Sequence, residues 1–240
     1  MGFFSKKYCD ICGEKISLIG NKKLDDGNMC KTCAKKLSPW FSDRRKTSLQ
    51  DINEQLKYRE DNKSKVSTFN VTRTLGSSPK VLIDDKDNQF MIAYDDNYLA
   101  ENPDVMDISD VINCVLDIDE NKTEIMRIDE DGREVSHMVR RYDYSYNFNV
   151  IINVNNPYFT EIKFKLNSFN VDGNSRREFE DYKVMGEEIC AALSGAQSRA
   201  QTNDTRTNAS TVPAFCPNCG APTQGVEAKF CGSCGKPLNG

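Results

Sequence analysis

Eight of the chain's 10 cysteines fall into four C-x-x-C pairs. Cys9, Cys12, Cys30 and Cys33 lie near the start, in YCDICGEK and NMCKTCAKK, with 17 residues between the pairs. Cys216, Cys219, Cys231 and Cys234 lie near the end, in FCPNCGAP and KFCGSCGKPL, with 11 between. A C-x-x-C sets two thiolates on one tight turn, a knuckle whose backbone N–H groups can also point at sulfur. Two knuckles brought together complete a tetrahedron around a zinc ion, with Zn–S near about 2.3 Å. Gly13, Gly220 and Gly235 each follow the second cysteine of a knuckle. Glycine there frees the backbone for the positive φ such a turn uses.

Three other chemistries compete for these thiols. Disulfides need an oxidising compartment, and the start MGFFSKK has no apolar run that reads as a secretory signal. A thioredoxin-like centre uses a single C-x-x-C beside a βαβ pattern, not two paired sets. Iron–sulfur clusters take other spacings more often. Two zinc sites are therefore expected, one per set. Both are expected to be structural, because four thiolates leave no position open for water or substrate. Modules of about 40 residues or fewer cannot fold on burial alone. Zinc would supply their folding energy, about 10–16 kcal/mol apparent per site.

The remaining chemistry-bearing residues read blandly. Cys114 in VINCVLDI and Cys190 in GEEICAAL read as buried small hydrophobes, with no histidine or basic cluster close in sequence to activate them. His137, the chain's one histidine, has no nucleophile signature around it. DIDENKTE spaces Asp117, Asp119 and Asn121 like a calcium loop, but Lys122 stands where glycine is required and Ile128 where glutamate is. There is no phosphate-cradling glycine loop and no G-x-S-x-G. The chain is expected not to be an enzyme.

The elements that would carry these residues follow from periodicity. Ile16 and Leu18 alternate with polar positions ahead of Gly and Asn turns, as in a ribbon hairpin. Trp40, the only tryptophan, is expected to pack on the metal module beside it. TSLQDINEQLKYRE reads as a helix capped by Ser48, with Leu49, Ile52 and Leu56 on one face, serving as a spacer or docking helix. A polar break at residues 61–65 follows, and from Val66 the period becomes 2. Phe69, Val71 and Leu75 fall on one side of the first strand. KVLIDDKDNQFMIAY reads as two strands around an acidic turn at 84–88. Ile112, Cys114, Leu116 and Ile118 alternate in the next, and Asp131-Gly132 turns a hairpin. Tyr142, Tyr144, Tyr146, Phe148, Val150, Ile152 and Val154 share one face and read as core rather than a base-stacking platform. Ile162, Phe164 and Leu166 alternate in the last strand. A closing helix turns Phe179, Tyr182, Met185, Ile189 and Leu193 inward and ends at Gly195.

The expected fold is mainly β (α+β), a central antiparallel barrel or curled sheet closed by a C-terminal helix and flanked by two small four-cysteine zinc ribbons. The boundaries are 1–42 for the first ribbon, 43–65 for a connecting helix and 66–194 for the β domain. A tether over 195–214 and a second ribbon over 215–240 follow. A coil of that length separates its ends by roughly 25 Å.

About seven strands followed by one amphipathic helix resemble the pleckstrin-homology-like (PH-like) barrel, and ENPDVMDISDVINCVLDIDE is similar to its bacterial members, where a polar turn precedes an I-x-x-V strand. A different β-sandwich with one helix stays open. YCDICGEKISL through GNMCKTCAKKLSPWFSDRRK resembles the bacterial zinc-ribbon module named domain of unknown function 4428, carried here by Cys9, Cys12, Gly13, Cys30, Cys33 and the trailing Leu-Ser-Pro-Trp-Phe. The final segment resembles the short zinc ribbon at one end of many bacterial multidomain proteins. Both resemblances imply metal ligands and neither implies an activity.

Charge narrows the partner classes. Residues 1–60 carry a net +5, residues 61–194 a net −11 and residues 195–240 a net +2. The acidic middle repels nucleic acid and anionic lipid. A four-thiolate zinc site carries −2 in all, which offsets part of the basic start. No stretch approaches the roughly 18 apolar residues of a membrane span, and a cytoplasmic location is expected. The reading that fits best is a non-enzymatic zinc-binding adaptor for a protein partner, its tethered ribbon adding a second contact. The alternatives are nucleic-acid binding through Lys22, Lys23, Lys31, Lys35, Lys36, Arg44, Arg45 and Lys46, or lipid-surface association through the PH-like domain. The acidic turn at 84–88 weakens the latter.

Overall fold

The computed structural model describes residues 7–17, 19–41 and 46–203, with residues 195–203 by backbone alone. The chain divides into two compact units, Met1–Gln197 and Ser198–Gly240. The second four-cysteine set, the tether from residue 204, Leu18, Arg44 and Arg45 lie outside the described residues.

A two-stranded ribbon opens the first unit. Its strands β1 (Lys22–Lys23) and β2 (Asn28–Met29) pair antiparallel, and a one-turn helix α1 (Lys31–Ala34) follows. Helix α2 (Leu49–Thr68) begins at Ser48, whose hydroxyl accepts from the Asp51 N–H while the Asp51 carboxylate accepts from the Ser48 N–H. That reciprocal capping box satisfies two orphan donors of the first turn. Contrary to the sequence reading, α2 runs straight through residues 61–65 and on to Thr68. Phe69 and Val71 accordingly precede the first strand of the β domain rather than lie in it.

The β domain holds two antiparallel sheets. Strands β3 (Arg73–Gly76), β4 (Lys80–Asp84), β5 (Gln89–Ala93) and β6 (Met106–Asp107) form the first in sequence order, and the one-turn helix α3 (Tyr98–Glu101) lies between β5 and β6. The second is built on one long hairpin, β7 (Val111–Ile128) and β8 (Glu134–Val154), turned at Gly132 with φ of +79°. Strands β9 (Glu161–Lys165) and β10 (Val171–Asp172) both pair with β8. Helix α4 (Arg176–Asn203) ends the described chain.

Among the described residues no ladder joins the sheets into a barrel. Helix α4 occupies the seam instead. Its Ile189 reaches the β3 side, where a Cβ at Gly76 would lie 3.7 Å from Ile189 Cδ1. Its Gly186 lies against the β7 side, where a Cβ would fall 2.4 Å from Leu116 Cδ1. A larger residue at Gly186 would push the Leu116 side chain aside. Val81, Ile83, Phe90 and Ile92 of the first sheet meet Phe148, Val150, Ile152, Ile162 and Phe164 of the second, with Ile189 and Leu193 between, in one core. The helix does not stop at Gly195, so the first residues of the expected tether are helical.

Both faces of the first sheet are covered, which is why KVLID and QFMIA are buried almost throughout. Leu82, Met91 and Ala93 point away from the main core and pack with Val66 of α2. The buried stripe of α2 is Ile52, Gln55, Arg59, Asn62 and Val66, at helical spacing but mostly polar. Its upper end packs in the ribbon module through Ile52 and its lower end on the sheet through Val66. The middle is a hydrogen-bonded hub. Arg59 Nη1 donates to Asp104 Oδ1 and Ser38 Oγ donates to Asp104 Oδ2, each at 2.7 Å. Asn62 Nδ2 donates to Asn102 Oδ1 and the Pro103 carbonyl, and Asn62 Oδ1 accepts from the Val105 N–H at 2.9 Å. Trp40 packs on the main β core, correcting its expected place on the ribbon, while the next residue, Phe41, fills the ribbon's own core.

Gln55 is the exception in this stripe. It is fully buried and neither amide atom has a hydrogen-bond partner. An unsatisfied buried amide costs about 1–3 kcal/mol. Gln55→Met keeps the length and removes both polar atoms, so urea unfolding should give a variant more stable by about 1 kcal/mol.

Candidate metal centre

The first knuckle is shaped by its own backbone. The Cys9 N–H donates to the Glu14 carbonyl at 2.9 Å and the Gly13 N–H to the Cys9 carbonyl at 2.8 Å. Gly13 takes φ of +73°, and nothing lies within 4 Å of where its Cβ would be, so the requirement there is conformational. A bridge between Tyr8 and Lys15 closes the loop behind it. The second knuckle is a helix start. Cys30 is the N-cap of α1, and its Sγ accepts from the Cys33 N–H at 3.4 Å. The ribbon strand β2 delivers Cys30 to the first knuckle. There the Asp10 N–H donates to the Asn28 carbonyl at 2.9 Å and the Asn28 N–H to Asp10 Oδ2 at 2.7 Å. The Cys30 N–H then donates to Cys9 Sγ at 3.2 Å.

These contacts bring Cys9, Cys12, Cys30 and Cys33 together with all four sulfurs within 4.8 Å of one another, a group that could hold a metal ion. Cys9 and Cys33 are buried, Cys30 is half-buried and Cys12 is exposed. A tetrahedron with metal–sulfur bonds of about 2.3 Å has S···S edges of about 3.8 Å. Cys12 Sγ and Cys30 Sγ stand 3.8 Å apart. The donor set and its size fit a tetrahedral, thiolate-seeking dication.

Electrostatics point the same way. Burial opposes ionisation of Cys9, yet the N–H groups of Cys30, Cys12 and Ile11 outweigh it and bring the thiol down to about 6. Burial pushes Cys33 up, and the thiols of Cys12, Cys30 and Cys9 push it further. Cys9 ionises readily, while Cys33 resists a further negative charge beside it. A bound cation would reverse that resistance.

The other residues singled out in the sequence are scattered. His137 lies in a stretch of β8 between Ser136 and Arg141 that has no partner on β7. Tyr142 and Tyr144 stand outside the core with the Lys122 ammonium over their rings, at 4.0 and 5.7 Å. Only from Tyr146, edge-on to Phe179, does that stripe become core. A register shift between Val111 and Asn113 turns Ile112 outward, against the expected alternation. Cys114 and Cys190 are not isolated hydrophobes, because their sulfurs touch at 2.8 Å. They stand 76 positions apart in the sequence, so no local pattern signalled the pairing.

No described helix is long and apolar enough to cross a membrane. Comparison with known proteins bears on the metal centre alone. No curated protein and no solved structure matches the chain. Residues 7–55, which span both knuckles, α1 and the first turns of α2, match the family described as Domain of unknown function (DUF4428).

Proposed function

We propose that the chain is a non-enzymatic zinc-binding adaptor, in which structural zinc ribbons flank a β domain of PH-like character that contacts a protein partner. The supporting observation for zinc is the sulfur-only donor set of Cys9, Cys12, Cys30 and Cys33, drawn within 4.8 Å. Four thiolates saturate the ion, so it shapes the module and offers no Lewis-acid site. The same role is assigned to Cys216, Cys219, Cys231 and Cys234 on their spacing. Partner binding is supported by the far end of the β7–β8 hairpin. There Ile128, Met138 and Val139 are exposed at 63%, 102% and 77%. Large apolar side chains left exposed near one end of a hairpin fit a contact site.

Native mass spectrometry of the full chain tests the metal half. Two zinc ions per chain are expected, and a metal-free chain of full mass, or thiols oxidised to one another, would refute it. Cross-linking in the source cell tests the other half. A partner captured by the wild type and lost with the Met138→Glu/Val139→Lys double variant is expected. Equal capture by both removes the hairpin from the contact.

A second reading has one observation behind it: Lys22, Lys23, Lys31, Lys35 and Lys36 are all exposed on the ribbon module. They would bind phosphates with an affinity that falls steeply with salt. A flat gel shift at low salt would eliminate it.

A further inference from the structure

We propose that Cys114 and Cys190 are a disulfide-forming pair, joined by a peroxide oxidant to fix α4 against β7. The two are free thiols, both partly accessible, with sulfurs 2.8 Å apart. Their neighbours make the meeting a built feature. One turn before Cys190, Gly186 lets α4 approach Leu116, two residues after Cys114. Two strand residues advance about 6.6 Å. One four-residue step of helix advances about 6 Å. The Leu116–Gly186 contact therefore sets the register that brings Cys114 opposite Cys190. Ile189 and Leu193, both fully buried, fix the rotation of the helix about its axis. The helix cannot rotate Cys190 away from β7 without emptying the core.

The pair is also polarised. Cys114 Sγ is the donor and Cys190 Sγ the acceptor in their contact. That bond holds the Cys190 thiol below its ordinary range. The same bond, with burial, pushes Cys114 far up. Cys190, the accepting sulfur of that contact, is assigned the attack. Its thiolate takes one peroxide oxygen, the O–O bond breaks, and water leaves after protonation, with Cys190 as the sulfenic acid. Cys114 sulfur then displaces that hydroxyl, giving up its own proton, and a second water leaves. Two thiols lose two electrons and two protons, and one hydrogen peroxide becomes two waters. The reaction joins sheet and helix across the seam that, among the described residues, no strand ladder closes.

The test uses the full zinc-loaded chain and hydrogen peroxide, followed by alkylation and non-reducing peptide mapping. A cross-linked peptide containing Cys114 and Cys190, lighter by two hydrogens than the separate peptides and split by dithiothreitol, is expected before zinc is released. In Cys114→Ser, the reaction should stop at a Cys190 sulfenic acid that dimedone traps. In Cys190→Ser, Cys114 should stay fully alkylatable. The proposal is overturned if both thiols of the wild type remain alkylatable at a peroxide dose that already releases zinc. It is equally overturned if they oxidise singly without joining. The wild-type map decides even where a serine variant fails to fold.

Discussion

Stripping the proposed zinc from the full chain with a strong chelator will expose residues 7–41 and the first turns of α2 to amide exchange. Strands β4 and β5 and the base of β8 will keep their protection. The ribbon module has a thin core: Cys9, Ile16, Leu24, Met29, Cys33, Ala34, Leu37 and Phe41, with Ile52 supplied by α2. Two of these, Cys9 and Cys33, are themselves proposed ligands, so the metal site and the core would be one object. Without a cation, the module loses an apparent binding free energy of about 10–16 kcal/mol. No remaining contact in a module of that size matches it. Leu49 and Leu56 pack on the same core, so the start of α2 loosens with it. Cys9→Ser should reproduce the pattern without chelator. Unchanged protection in a sample shown to be metal-free would mean that apolar packing alone holds the module.

Arg59→Met should be the most damaging single change outside the cysteines, at about 3–5 kcal/mol in urea unfolding. The Asp104 side chain is fully buried, and Arg59 is its only ion-pair partner among the described residues. Removing the guanidinium leaves Ser38 Oγ alone against a buried charge. The Arg59→Met/Asp104→Leu double variant should recover most of the loss, because it removes the orphaned charge with its partner. The deficit should also depend on pH. Burial already holds the Asp104 carboxyl above its ordinary 3.8, with Arg59 and Ser38 pulling it back. Without Arg59 it rises further, and a raised folded value favours the protonated form. The variant is therefore least impaired below pH 3.8 and loses stability as pH climbs through the raised value. A deficit that stays flat from below pH 3.8 up to alkaline pH would show that Asp104 does not carry the charge at issue.

What the sequence made legible was local. The first metal set could be read because a C-x-x-C fixes its two sulfurs within a single turn, and Gly13 signals the turn. Asp131-Gly132 and the acidic loop between β4 and β5 announced hairpins for the same reason. Helix α4 showed its inner face because Phe179, Tyr182, Ile189 and Leu193 are apolar at helical spacing. The inner face of α2 was legible only at Ile52, because the next three residues it buries are Gln55, Arg59 and Asn62. Polar residues earn burial only from partners elsewhere, and Asn102 and Asp104 lie 40 and 45 positions away from the residues they meet. Asn62 fell in the polar run 61–65 that read as a break in the helix. Trp40 was misplaced because its sequence neighbours lie in the ribbon while its side chain serves the sheets. Barrel closure was the natural extension of alternating strands, and nothing local reveals that a helix fills the seam.

The β7–β8 hairpin has a mechanical consequence. From Thr123 paired with Asp143 outward, its strands pair only with each other among the described residues. A ladder two strands wide twists more than the sheet it leaves and bends more easily. Six residues of β7 from Thr123 to Ile128 extend about 20 Å. The hairpin is thus a cantilever clamped where Tyr146 meets Phe179. A load at Asp131-Gly132 would be absorbed by bending of the outer rungs before it strained the clamp.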